Sequence, residues 1–165
     1  PGPVVGRRAE HHHRDQQGKF TQHFVQRMHQ QHPGAQALPL VSVTKDPSCG
    51  CCDGWAAHIK AAGFSIRVVE SANMGSLKQR LGVPEDLASC HTADVGGYVI
   101  EGHVPAAAIR RLLAERPDAT GLAVPGMPAG SPGMDFPGVD PEPYEAFLFG
   151  QTTRSFGRFL GSREI

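Results

Sequence analysis

Residues 40–68, LVSVTKDPSCGCCDGWAAHIKAAGFSIRV, decide the fold. Leu40-Val41-Ser42-Val43 is a short apolar, β-branched run and predicts a buried strand. Asp46-Pro47-Ser48 breaks it. Trp55, Ile59 and Ala62 then fall at i, i+4 and i+7, one face of a helix that begins near Cys51 and stops at Gly63. Phe64, Ile66 and Val68 alternate with Ser65 and Arg67, which predicts a strand covered on one face. Strand, helix and strand in close succession predict a βαβ unit: two parallel strands joined by a right-handed crossover.

Beyond this unit, Met74, Leu77 and Leu81 mark a second short helix, closed by Gly82 and Pro84. His91–Val95 and Tyr98–Ile100 flank Gly96-Gly97, a hairpin signal. Pro105, at a first-turn position, opens a helix carrying Ile109, Leu112 and Leu113 that ends before Pro117. Ala146–Phe149 is the last candidate strand. The hairpin adds antiparallel strands to the parallel pair, so the expected fold is α/β, a thioredoxin-like mixed sheet flanked by helices. No internal repeat is visible.

The N-terminal stretch has a different character. Residues 1–36 carry His11, His12, His13, His23, His29 and His32, many Gln and few large apolar residues. Phe20, Phe24 and Met28 recur four apart and allow a short helix from Gly18 to Gln31, ended by Pro33-Gly34. The expected organisation is a flexible His/Gln-rich extension over 1–36, a thioredoxin-like domain over 37–150 and a C-terminal tail over 151–165. The extension is either a solvated polar arm or an auxiliary metal collector.

Lys+Arg and Asp+Glu both number 16 among 165 residues, so net charge is +0 and nothing resembles a nucleic-acid stripe. No apolar run approaches a membrane span. The chain begins with Pro1 rather than Met and is read as processed, trimmed or a fragment, so the absence of a signal peptide or anchor decides nothing about compartment.

Of the four cysteines, three crowd into Cys49-Gly50-Cys51-Cys52 and one stands at Cys90. A disulfide framework would spread them; crowding predicts metal or redox chemistry. Cys49 and Cys52 have C-x-x-C spacing where a strand gives way to a helix. Unpaired N–H groups and the helix dipole favour thiolate there. Thiolate attacks disulfides and also binds soft metals, so position alone serves both uses. Cys51 favours metal. A dithiol oxidoreductase needs two sulfurs, and a third invites scrambling and overoxidation. Thiolates and thioethers select Cu(I) over hard cations. A zinc site stays open, although the cysteines do not form two C-x-x-C pairs.

Further candidates follow from position. The segment Ser89-Cys90-His91-Thr92 enters the third strand, and a thioredoxin-like fold passes that segment beside the C-x-x-C motif. Cys90 is therefore expected close to Cys49, with His91 as a ligand, a ligand's partner or a plain strand residue. His103, before the third helix, is either a ligand or a helix-entry residue. Met127 and Met134 lie in a Pro/Gly-rich loop over 124–134, where no periodic element packs them; each is a soft neutral donor or fills a gap beneath the loop.

Together, Cys49-Gly50-Cys51-Cys52-x-x-Trp55, Ser89-Cys90-His91-Thr92, Gly97-Tyr98-x-Ile100-Glu101-Gly102-His103-Val104-Pro105 and the Gly121–Met134 stretch resemble the CopG-type copper-resistance proteins. The resemblance runs from Leu38 to Phe149, with four motifs in the family's order. It implies a thioredoxin-like fold, export to the periplasm, a role in copper tolerance and a thiolate-bridged copper cluster. By motif match it implies Cys49, Cys51, Cys52 and Cys90 as core ligands, with His91, His103, Met127 and Met134 beside them. Copper ions, and other periplasmic copper-handling proteins, are the implied partners. A thiol–disulfide oxidoreductase using Cys49 and Cys52 is the alternative expectation, and a structural zinc domain a weaker one.

Overall fold

The computed structural model describes residue 2 and residues 37–165. The proposed helix over 18–31 and the His-rich stretch lie outside the described residues. The first strand, β1, spans Val41–Lys45 and alternates buried and half-buried positions, so Val41, Val43 and Lys45 all point inward. Helix α1 (Gly50–Ala61) follows and buries Cys52, Trp55 and Ile59 along one face. β2 (Ile66–Glu70) lies parallel to β1 at the sheet edge, but the expected covered face is not there: only Ile66 is half-buried, and Val68 and Val69 are exposed. Helix α2 (Met74–Arg80) starts at Asn73, whose side chain accepts the Ser76 N–H. A 3-10 turn over Glu85–Leu87 leads to β3 (His91–Val95).

β3 and β4 (Tyr98–Gly102) form the expected hairpin through Gly96-Gly97, whose φ angles of 56° and 87° are those of a tight two-residue turn. Helix α3 (Ala106–Glu115) crosses over from β4 to the parallel strand β5 (Gly121–Val124). β6 (Pro143–Phe149), β7 (Arg154–Leu160) and the short β8 (Arg163–Glu164) complete the sheet as an antiparallel meander. The strand order is β2-β1-β3-β4-β5-β6-β7-β8, parallel at β1/β2 and β4/β5 and antiparallel elsewhere. The α/β class and the mixed sheet flanked by helices are therefore present.

Gly121–Val124, to which the spacing assigns no element, is a strand that inserts between β4 and β6. The structure also corrects the reading of the C-terminal stretch. Residues 151–165, read as a tail, carry β7 and β8. Phe156 and Phe159 of β7 are buried in the main core, and Arg111 of α3 donates to the Phe156 carbonyl at 2.9 Å and to Glu164 at 2.6 Å. These buried aromatic side chains anchor the segment to the domain.

The main core packs Trp55 and Ile59 of α1, Ile109 and Leu112 of α3 and Ile100 and Leu122 of the sheet. The Trp55 indole N–H donates to the Val104 carbonyl at 2.8 Å, which ties α1 to the chain just after β4. Register then aligns one end of the sheet. Lys45 of β1 faces His91 of β3, Thr92 faces Glu101 of β4, and Gly102 faces Val124 of β5. The segments beyond that end are the cysteine turn after β1, Cys90 before β3, His103 after β4 and Met127 after β5. Pairing register alone brings residues distant in sequence to one edge.

Candidate metal centre

The entry to α1 is open. Cys49 occupies its N-cap in an extended conformation and makes no side-chain cap, so the first helical N–H groups lack a side-chain acceptor. The half-buried Cys51 and the buried Cys52 lie in the first turn. Cys49 and Cys52 are joined as a disulfide, while Cys51 and Cys90 are free thiols. The Cys51 Sγ lies 3.5 Å from Cys49 Sγ, 3.8 Å from Cys90 Sγ and 3.9 Å from the thioether of Met127. All four cysteine sulfurs fall within 4.8 Å of one another. Sequence position placed Cys90 near Cys49; Cys51 is the thiol it contacts.

Cys90 also belongs to a second group, with His91 and His103. Its sulfur lies 3.3 Å from His91 Nδ1 and 3.1 Å from His103 Nε2. His103 Nδ1 is 2.7 Å from the Pro132 carbonyl. A carbonyl only accepts, so Nδ1 carries the proton and Nε2 turns its lone pair toward Cys90. This is the arrangement in which a neutral imidazole ligates a metal. His91 is buried beneath Trp55, with ring centroids 4.4 Å apart, and its Nε2 has no hydrogen-bond partner.

Burial, helped by His103 and Lys78, pulls the His91 imidazolium down to about 3, and burial lowers His103 as well. Both rings are neutral near pH 7. Burial, reinforced by the Cys51 thiol, pushes Cys90 up to about 11. Without a metal that sulfur keeps its proton, and a soft cation would displace it.

The two methionines part company. Met127 is 53% exposed and touches Cys51 from the solvent side. Met134 makes no comparable sulfur contact among the described residues. Its backbone closes the loop instead, donating to the Ser131 carbonyl and accepting from the Gly130 N–H.

Two contributors escaped the sequence reading. Lys45 is buried, and its ammonium donates to the Cys49 carbonyl at 3.3 Å and pairs with Asp53 at 3.0 Å, pinning the cysteine turn from below. The signal was present: Lys45 continues the inward period of Val41 and Val43. Gly133 is the other. It lies against α1 so closely that a Cβ there would sit 2.6 Å from the Cys51 carbonyl oxygen and 2.7 Å from the Trp55 nitrogen. Its φ of 90° also suits glycine alone. This contact seats the 125–134 loop on the cysteine turn.

Two solved structures align with this geometry. One, titled "Copper resistance protein copG- Form 1", is 40% identical with a TM-score of 0.67, over 74% of this chain and 98% of that one. The chain belongs to the CopG copper-resistance family. The Form 2 structure of the same title agrees, at 39% identity and a TM-score of 0.67 over 78% of this chain and 98% of that one. Residues 87–134, from the 3-10 turn to Met134, match a family described as "Protein of unknown function, DUF411". No match is found among curated proteins. This CopG-family chain thus places a cysteine and histidine cluster suited to metal binding at one end of its sheet. No helix among its described residues is long and apolar enough to cross a membrane.

Proposed function

We propose that this protein binds copper as Cu(I) in the periplasm and holds it for sequestration, transfer or redox interconversion. The observation that carries the reading is the 3.8 Å approach of Cys90 to Cys51 across 39 residues of sequence. A metal–thiolate bond is roughly 2.3 Å for zinc, so sulfurs 3.5–3.8 Å apart suit two ligands on one ion. With Cys49 and Cys52 reduced, four thiolates converge, and each can bridge two ions. That supports a thiolate-bridged cluster with more than one copper.

Neutral His91 and His103 and the thioether of Met127 add donors that suit Cu(I). Met134 would join only if the loop rearranged. The β1–α1–β2 crossover followed by the β3–β4 hairpin supports the thioredoxin-like reading of this core. The Cys49–Cys52 disulfide fits an oxidising compartment and supports export. Exposed Met127 at the rim offers a first contact for copper passed from another periplasmic copper-handling protein.

The test is anaerobic competition for Cu(I) against a chelator, before and after reduction of the disulfide. Reduced protein should take up more than one Cu(I) per chain, with sulfur-to-copper charge-transfer absorption, and oxidised protein clearly less. A reduced chain that leaves all copper on the chelator contradicts the reading.

The disulfide at the α1 N-terminus also favours a second reading, thiol–disulfide exchange with Cys49 attacking and Cys52 resolving. Insulin reduction that survives Cys51→Ser and disappears with Cys49→Ser would support it. Absence of turnover would dismiss it.

A further inference from the structure

The geometry points to Glu101 as the positioning residue that sets Cys90 and His91 for metal capture, an assignment that rests on the copper reading above. Glu101 is fully buried on β4. A carboxylate is almost never found there without partners, and this one has three. Its Oε1 accepts from the Ser89 backbone N–H at 2.7 Å and from the Lys78 ammonium at 2.5 Å. Its Oε2 accepts from the Thr92 hydroxyl at 2.6 Å, and that hydroxyl accepts from Lys78 at 2.8 Å.

Ser89 immediately precedes Cys90, and Thr92 immediately follows His91. One carboxylate therefore grips both flanks of the ligand pair. The β3–β4 pairing ends at Thr92 and Glu101, so the ladder between those strands does not reach Cys90. Beyond that point the Glu101 side chain takes over from the ladder. The grip also extends outward, because the Ser89 hydroxyl donates to the Gly126 carbonyl at 2.6 Å, next to Met127. Glu101 thus stands behind the thiol, the imidazole and the thioether without touching any of them.

An ion pair buried only for stability can usually be exchanged for apolar side chains of similar size at little loss. A positioning carboxylate cannot, since an apolar replacement leaves the Ser89 N–H unheld. The test is the double variant Glu101→Leu/Lys78→Met, with Thr92→Val as a milder change of nearly equal shape. Thermal unfolding identifies the variants that keep their fold.

The first readout needs no copper. In a Cys51→Ser background with the disulfide intact, Cys90 is the one free thiol, and its alkylation by iodoacetamide reports how firmly it is held. Expected are alkylation about tenfold faster in the double variant and Cu(I) affinity, measured with Cys51 restored, lower by about 10–100-fold, the range for partners that orient metal ligands. Thr92→Val should shift both in the same direction by a smaller factor. It decides the matter if the double variant does not fold.

Folded variants with unchanged alkylation and unchanged copper affinity would overturn the assignment. If the unaltered chain takes no Cu(I), the copper reading fails, and the alkylation rates still decide whether Glu101 holds Cys90.

Discussion

Cys90→Ser in the reduced protein lowers Cu(I) affinity by at least about 100-fold, because losing a ligand should exceed the 10–100-fold typical of losing a ligand's partner. Cys90 links the two groups of donors. Its sulfur lies in the four-cysteine set and also in the set with His91 and His103. Serine keeps the shape but replaces a soft sulfur with a hard oxygen. The fold should survive, since Cys90 is half-buried and belongs to no disulfide. Chelator competition beside a thermal melt checks both halves. Cys51→Ser should weaken binding comparably, because Cys51 contacts Cys49, Cys90 and Met127. Full copper content in both variants would leave the sulfur pocket without a role.

Gly133→Ala acts through the backbone. The added methyl would sit 2.6 Å from the Cys51 carbonyl and 2.7 Å from the Trp55 nitrogen, backbone atoms of a helix that cannot yield cheaply. Overpacking of this kind costs about 1–3 kcal/mol, and the positive φ of 90° adds a strain on the order of 1–2 kcal/mol for a residue with a Cβ. The expected loss is about 2–5 kcal/mol, a fall in melting temperature on the order of 10 °C for a domain of this size. The strain is also relieved by lifting the 125–134 loop, which carries Met127 away from Cys51. Copper should then dissociate faster from whatever fraction stays folded. Unchanged melting would mean that the loop rests elsewhere in solution.

The sequence revealed the parts of the fold whose signals are local. β1 and α1 follow from apolar spacing, the hairpin from Gly96-Gly97, and α3 from Pro105 and the Ile109/Leu112 face, while β2 is a strand as expected but without the covered face its alternation implied. β5 did not announce itself. Gly121, Leu122, Ala123 and Val124 are all buried, so the strand shows no alternation, and it runs directly into a Pro/Gly loop. β7 was hidden by a bulge. Ala146 pairs with Gly157 and Phe147 with Ser155, which leaves Phe156 as an extra residue. The buried Phe156 and Phe159 then fall three apart, and a period of two cannot be read from them.

The candidate site was legible where topology alone determines it. Placing the segment before β3 beside the cysteine turn required only the strand order. Side-chain geometry was not legible. A C-x-x-C spacing serves a dithiol or a disulfide equally, and here Cys49 and Cys52 are joined. Two methionines in one loop look alike in sequence, yet Met127 touches Cys51 while Met134 lends its backbone to the loop. The period of β1 points Lys45 inward, but the roles of Glu101 and Gly133 depend on what lies across a strand or against a helix, which no spacing rule records.

Copper-edge X-ray absorption on the reduced, Cu(I)-loaded chain, with Cys90→Ser measured alongside, decides whether Cys90 and the cysteine turn hold copper together. The expected result is a coordination shell dominated by sulfur, with a neighbouring copper resolved and both features diminished in the variant. A shell of nitrogen and oxygen alone, or a spectrum that the loss of Cys90 leaves untouched, would contradict it.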